Sequence, residues 1–434
     1  MPLNAMSFVP NQVSLSALDN TDMPRHRWYH FKEAFSPNLV NYALEDAQCD
    51  KSKDLIVDPF SGSGTVAVTS TLNGYKAIGF EVNPFLAFVS ATKLTQCKPD
   101  TISKQLRTII ANIRRGEVSP LEHFSTFSET SNAEKWLFNK QVLRAFEGGW
   151  LSTGNMYKPV RDLARLCLIG AAMDVCNATK DGKCLRYRKD WQERSFGVSD
   201  FVDAFEKRIQ EVIHDIEICP IDKDIESSIK IGDSRKMTSG IFQKQKFKLC
   251  VMSPPYLNSF DYTDVYRPEL FLGRFVLNNE QLQILRHNTL RSHVQVKWAE
   301  PHEEYFGRHF FESFQELNAR KGSLWNNRIP SMVQAYFEDM KKILVNLKLM
   351  AKKDASVWIV VSTSAYAGVE LPVDLIIADI ATQVGWFLRD IKVIRYLKRV
   401  SCQQWDELSK RKEQRPHLRE SIIILDTNPK KMHI

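Results

Sequence analysis

The tetrad Ser253-Pro254-Pro255-Tyr256 sets a hydroxyl, a rigid pair of peptide carbonyls and an aromatic face directly after the apolar run Phe247–Met252. Two consecutive prolines fix φ and cannot join a β-ladder, so a strand must stop here and the loop that follows is stiff. Such a loop suits chemistry on an exocyclic amine. The lone pair of that amine is conjugated into its ring, which makes it a poor nucleophile. Acceptors that hold its two hydrogens out of the ring plane return lone-pair character to nitrogen. The Ser253 hydroxyl and the Pro254 carbonyl can accept in this way, while Tyr256 offers a flat face for stacking. Taken alone, the same four residues also read as a proline-rich turn that closes a strand.

A second segment, Asp58-Pro59-Phe60-Ser61-Gly62-Ser63-Gly64-Thr65, lies far upstream. It follows the short apolar run Leu55–Phe60, read as a buried parallel strand, and leads into a helix over Thr65–Leu72 that Gly74 is placed to end. Gly62 and Gly64 allow positive φ and leave no Cβ between backbone and ligand. No Gly-Lys-Ser/Thr follows, so a P-loop is excluded. Ala77–Val82 is the next apolar run and carries Glu81, about 20 positions beyond the glycine turn, where a carboxylate can accept from a ribose diol. Asn83 and Pro84 then form an N-cap and first-turn pair. A generic βαβ nucleotide cradle satisfies these features equally well, and only the tetrad narrows the reading.

The elements that must position these residues form an α/β pattern. Strands are expected at Leu55–Asp58, Ala77–Glu81, Ile229–Gly232, Lys248–Met252, Ser356–Ser362, Lys392–Leu397 and Ser421–Leu425. Helical spacing marks Glu134–Phe146, Val160–Cys176 and Asp200–Ile216, a further helix from Ser331 to about Met350, and one opened by Pro372 and closed by Gly385.

Together the two segments resemble the S-adenosylmethionine-dependent amino-methyltransferases of DNA. The resemblance covers residues 25–94, 228–272 and 331–426. It implies a Rossmann-like class I methyltransferase fold, with a seven-stranded, mostly parallel sheet in the order 3-2-1-4-5-7-6. It implies a methionine-binding role for Asp58, Phe60, Gly62, Gly64 and Thr65, and ribose binding by Glu81. Asp233, after the third strand, would approach the adenine amino group. His30-Phe31-Lys32-Glu33-Ala34-Phe35-Ser36-Pro37 is similar to the element that closes over the methionine end, which brings in Lys32 and Phe35. A tetrad beginning with Ser is the form associated with cytosine-N4 enzymes, so Ser253, Pro254, Pro255 and Tyr256 become the catalytic set. The partner implied is double-stranded DNA with its target base flipped out. A restriction–modification setting would add a cognate nuclease. Adenine N6 or an RNA base amine stays open as acceptor, as does a catalytically silent nucleic-acid-binding protein that kept the fold.

Composition bounds these readings. With 434 residues the chain can bury a full α/β core with large insertions. The eight cysteines are scattered and suggest neither zinc nor disulfides, and no metal site is expected. No Pro-Cys pair occurs, which argues against covalent cytosine-C5 chemistry. No apolar stretch reaches the roughly 20 residues that span a bilayer, and no signal-peptide pattern is present, so a cytoplasmic enzyme is expected. Net charge is +8. Arg389–Arg419 concentrates basic residues, among them Lys410, Arg411, Lys412 and Arg415, and is expected to meet DNA phosphates. Lys183, Arg186, Arg188 and Lys189, interleaved with Tyr187 and Trp191, form a second candidate region for nucleic acid. The expected organisation is a flexible stretch over 1–24, a catalytic domain over 25–95 and 228–434, a helical insertion over 96–227, and a target-recognition insertion over 257–330.

Overall fold

The computed structural model describes residues 7–8, 20–129, 134–181, 184–238, 240, 245–397 and 418–429. Its centre is a sheet of β1 (Ser7–Phe8), β2 (Leu55–Asp58), β3 (Lys76–Glu81), β6 (Ser228–Ile231), β7 (Phe247–Met252), β8 (Ala351–Ser362), β11 (Phe387–Tyr396) and β12 (Arg419–Asp426). From one edge the order is β6-β3-β2-β7-β8-β12-β11-β1. Omitting β1, this is the 3-2-1-4-5-7-6 order expected of a class I methyltransferase, with β12 antiparallel to both neighbours. The eighth strand carries no sequence signal. Ser7 and Phe8 pair in parallel with Lys392 and Val393, inside the stretch expected to be flexible.

Alternation along the inner strands explains why the sheet is covered on both faces. Leu55, Val57, Cys250, Met252, Val357 and Ile359 join one hydrophobic cluster with α12 (Ile329–Met350) and α13 (Val373–Gln383). The intervening Ile56, Leu249, Val251, Trp358 and Val360 join the other, with α1 (Pro37–Asp46) and α2 (Thr65–Leu72). The caps fall where the residue types require them. Ser36 accepts from Asn38 N–H at 3.2 Å to open α1, and Asn83 accepts from Phe85 N–H at 3.0 Å to open α3 (Pro84–Lys93).

Between β3 and β6 lie α4 (Pro99–Arg115), α5 (Lys140–Ser152), α6 (Lys158–Asp174) and α7 (Val198–Ile218), with a hairpin of β4 (Ala178–Lys180) and β5 (Leu185–Tyr187). Their apolar faces share one cluster with Phe85 and Val89 of α3 and with Leu270 and Phe271, so this block packs directly on the cofactor half. The helix expected at Glu134–Phe146 begins six residues later. Leu137 and Phe138 are extended instead, donating to the carbonyls of Thr126 and Phe127 at 2.8 and 3.0 Å, and helical spacing cannot distinguish a buried extended pair from a first turn. Between β7 and α12 the chain forms α8 (Tyr262–Val265), α9 (Arg267–Leu272), α10 (Asn279–Asn288) and α11 (Arg308–Ala319). A hairpin of β9 (Ser364–Tyr366) and β10 (Val369–Leu371) follows β8. Among the described residues no helix is long and apolar enough to cross a membrane.

Candidate active site

Strands β2 and β7 are parallel neighbours, with Val57 opposite Cys250, so the glycine turn and the tetrad leave the same edge of the sheet side by side. Both line one cavity of about 1240 Å³. Open α/β sheets place ligands at this position, where the strand order reverses.

Hydrogen bonds bolt the glycine turn to its neighbours. The Asp58 carboxylate accepts from Phe60 N–H at 2.9 Å, and burial pushes its pKa up to about 8. Ser61 N–H donates to the Phe80 carbonyl at 2.7 Å, and the Ser90 hydroxyl donates to the Gly62 carbonyl at 2.6 Å. Gly62 has φ +49°, and a Cβ there would stand 3.0 Å from the Phe31 ring. Gly64, at φ +89°, faces elsewhere. A Cβ at Gly64 would meet Ser90 of α3 at 3.0 Å. The missing Cβ of Gly64 thus makes room for α3, a packing role the sequence did not suggest. Asp58 and Thr65 are buried within the turn, whereas Phe60 and Gly62 stand on the cavity wall.

Glu81 ends β3 and closes the turn from the far side. Its carboxylate accepts from Gly62 N–H at 2.7 Å and from Asn83 N–H at 2.9 Å. Burial nevertheless pushes its pKa up to about 7, the backbone donors of Asn83, Gly62 and Val82 only partly opposing it. A carboxylate offers about four acceptor sites, so room for a further donor remains. Asn83, on the cavity wall, spends its side-chain oxygen on the helix cap, and its buried Nδ2 has no partner among the described residues. Asp233 also lines the cavity, but its carboxylate is gripped by Arg235 at 2.9 Å, which in turn pairs with Asp339 at 3.0 Å. Lys32 and Phe35 line the opposite rim, with Lys32 Nζ donating to the Lys180 carbonyl. Glu33 beside them accepts from the Tyr266 hydroxyl at 3.0 Å, and burial raises its pKa.

The tetrad forms the other wall. All four residues line the cavity, Pro254 being the buried one among them. The Tyr256 hydroxyl donates to Glu420 Oε1 at 2.7 Å, and Arg395 Nε donates to Glu420 Oε2 at 2.8 Å. Burial first, and Glu420 second, hold the phenol pKa well above its ordinary value, so Tyr256 keeps its proton. Sequence inspection missed Glu420 and Arg395. The only available signal is topological: β12 runs antiparallel, so its first residues arrive at the edge where the parallel strands end.

Lys410, Arg411, Lys412 and Arg415 lie outside the described residues. The residues flanking that segment, Leu397 and Leu418, join by a 2.8 Å backbone bond and both line the cavity. In the second basic cluster Lys183 is likewise outside the described residues. Arg186 pairs with Asp181 at 2.6 Å, and Arg188 donates to the Cys176 carbonyl at 2.9 Å. Trp191 packs edge-on against Trp136. Of the 257–330 insertion, two stretches reach the cavity, one within 257–263 directly after the tetrad and one within 288–293. Arg286 and Arg291 do not act as free cations, since Arg286 pairs with Asp261 at 2.8 Å and Arg291 with Asp339 at 2.7 Å.

The strand order defines the class I methyltransferase fold. Residues 16–90 match the N6/N4 DNA methylase family model. The chain is 26% identical over 439 residues to the type II methyltransferase M.AvaI of Nostoc sp. strain PCC 7120, covering 89% of this chain and 84% of that one. It is 26% identical over 470 residues to the type II methyltransferase M.BsoBI of Geobacillus stearothermophilus, covering 95% and 88%. It is thus a distant homologue of type II methyltransferases. Among solved structures, TrmN from Thermus thermophilus matches at 8% identity and a TM-score of 0.29 over 91% of this chain and 49% of that one, which adds nothing to the strand order itself.

Proposed function

We propose that this chain methylates DNA at N4 of cytosine, using S-adenosylmethionine, within a restriction–modification system. The observation that carries the reading is that the Gly62–Glu81 cradle and the Ser253–Tyr256 tetrad are walls of one cavity. The residues fit the cofactor. Glu81 offers lone pairs to a ribose diol, the unpartnered Nδ2 of Asn83 offers a donor to the nucleoside, and Gly62 leaves room beside Phe31. Lys32 and Phe35 would hold the methionine end, and Asp233 the adenine side. When bound, the cofactor supplies a methyl group on a sulfonium.

The remaining work falls to this chain's residues. Ser253 and the Pro254 carbonyl accept from the target amine and hold its lone pair toward the cradle. Most of the rate gain comes from fixing donor and acceptor in line. A duplex hides the amine, so the base must leave the stack at a cost of a few kcal/mol. Stacking on Tyr256 returns about 1–3 kcal/mol. Ser253 is too weak a base to strip the amine beforehand, so the proton leaves after transfer, to water.

Mass analysis of nucleosides from the DNA of cells expressing the protein tests the reading. N4-methylcytosine is the expected product. N6-methyladenine alone would reassign the acceptor and keep the class. No methylated base in DNA or RNA would leave a nucleic-acid-binding protein without catalysis.

A further inference from the structure

The hairpin of β4 and β5 belongs to the helical insertion and lies outside the central sheet. It nevertheless stands on the cavity wall through Asp181, Cys184 and Arg186. A run of contacts fixes which part of the cavity it covers. A Cβ on Gly62 would stand 3.0 Å from the Phe31 ring, and that ring packs on Tyr266 at 5.5 Å between centroids. Lys180 Nζ lies 3.7 Å from the centroid of the Tyr266 ring and pairs with the buried Glu269. The Lys180 carbonyl accepts from Lys32 Nζ, one residue after Phe31. Separating a buried cation from a buried carboxylate is costly. The hairpin is therefore held on the side of the cavity where the glycine turn and Lys32 lie.

Its charges are of both signs. Arg186 Nε stands 2.6 Å from Asp181 Oδ2, which leaves the two terminal NH2 groups of the guanidinium to meet a ligand. Such a group matches a carboxylate with two parallel hydrogen bonds. A DNA phosphate arriving here would meet Asp181 as well as Arg186, and like charges repel. The amino-acid end of S-adenosylmethionine carries an ammonium beside its carboxylate, and it suits a mixed pair. We infer that Arg186 binds the α-carboxylate at the methionine end of the cofactor, so that the helical insertion completes the cofactor site from outside the central sheet. Asp181 holds the guanidinium in place for that contact. The inference rests on the proposed reading of the cavity and adds a binding residue to it.

Two ligands that differ only at the amino-acid end test it. S-adenosylhomocysteine has the carboxylate, and decarboxylated S-adenosylhomocysteine keeps the nucleoside, the sulfur and the amine without it. In calorimetric titrations of the full chain, Arg186→Ala should weaken S-adenosylhomocysteine by about 10- to 100-fold, the scale of hydrogen bonds to a charged group. The wild type should prefer S-adenosylhomocysteine over the decarboxylated ligand by a similar factor, measured by displacement, and Arg186→Ala should erase that preference. Arg186→Lys keeps the charge without the paired donors and should recover part of the loss. A purely structural role for Arg186 would weaken both ligands together and leave the preference intact. That outcome, or an unchanged affinity for S-adenosylhomocysteine in Arg186→Ala, would overturn the assignment while leaving the cofactor reading standing. A wild-type protein that binds neither ligand would overturn both.

Discussion

At the scale of single residues, Glu81 makes the clearest prediction. Burial holds its pKa up at about 7, so near neutrality the carboxylate carries a proton in a sizeable fraction of free molecules. Ribose hydroxyls are donors and favour the ionised form. Nucleoside binding should therefore expel a proton, and S-adenosylhomocysteine affinity should climb as pH rises through about 7 and level off beyond it. Calorimetry in buffers of different ionisation enthalpy measures the released proton directly, and Glu81→Gln should abolish both the release and the pH slope. Stability runs the other way. A carboxylate whose folded pKa lies above its unfolded value favours the fold below the unfolded pKa, and that contribution is lost as pH rises through about 7. Asp58, pushed up to about 8, acts in the same sense. The ligand-free protein should thus have a lower Tm at about pH 8 than at about pH 6, and Asp58→Asn should reduce the difference.

At the scale of elements, the strongest constraint is that the glycine turn is tied to α3. Gly64→Val puts a β-branched residue at φ +89° and a Cβ 3.0 Å from Ser90. Backbone strain alone costs about 1–3 kcal/mol. Urea unfolding should show a loss at least that large, and cofactor binding should fail along with the fold, not separately from it. A second element-scale prediction concerns the wall at 288–293. Arg291 is buried against Glu338 and Asp339 of α12, and its main chain also donates to Asp339. Arg291→Ala removes the cation shared by Glu338 and Asp339 but leaves Arg235 on Asp339 and Lys342 near Glu338, so it should cost less than the about 3–5 kcal/mol of a fully broken buried pair. Strands, caps and the glycine turn were legible in the sequence because each depends on its own few residues. Leu55–Asp58 is a strand by composition, and Asn83-Pro84 is a helix start by chemistry. Glu420 was not legible, because its role depends on β12 running antiparallel to β8. The contact between Gly64 and Ser90 was not legible for a related reason: φ preference is local, but what a missing Cβ makes room for is not.

At the scale of the whole molecule, the cavity takes walls from strands that are far apart in sequence, so its contents should brace the sheet. S-adenosylhomocysteine at about 100 times its Kd should add about 2.7 kcal/mol to unfolding, with a matching rise in Tm. Glu81→Ala should lose most of that increment. The basic segment between Leu397 and Leu418 begins and ends on the cavity rim. Neutralising Lys410, Arg411, Lys412 and Arg415 should weaken binding alike on all DNA sequences. The slope of log affinity against log salt should flatten by about 0.9 for each phosphate no longer neutralised.

The short strand β1 has a consequence for anyone who handles this protein. Ser7 and Phe8 occupy backbone donors and acceptors of β11 that would otherwise form the open margin of the sheet. An uncapped margin of this kind recruits strands from other molecules. Removing the residues through Phe8 should therefore change the protein's sociability before its chemistry, with light scattering rising with concentration while single-turnover rates hold. An affinity tag fused directly before Met1 risks the same outcome.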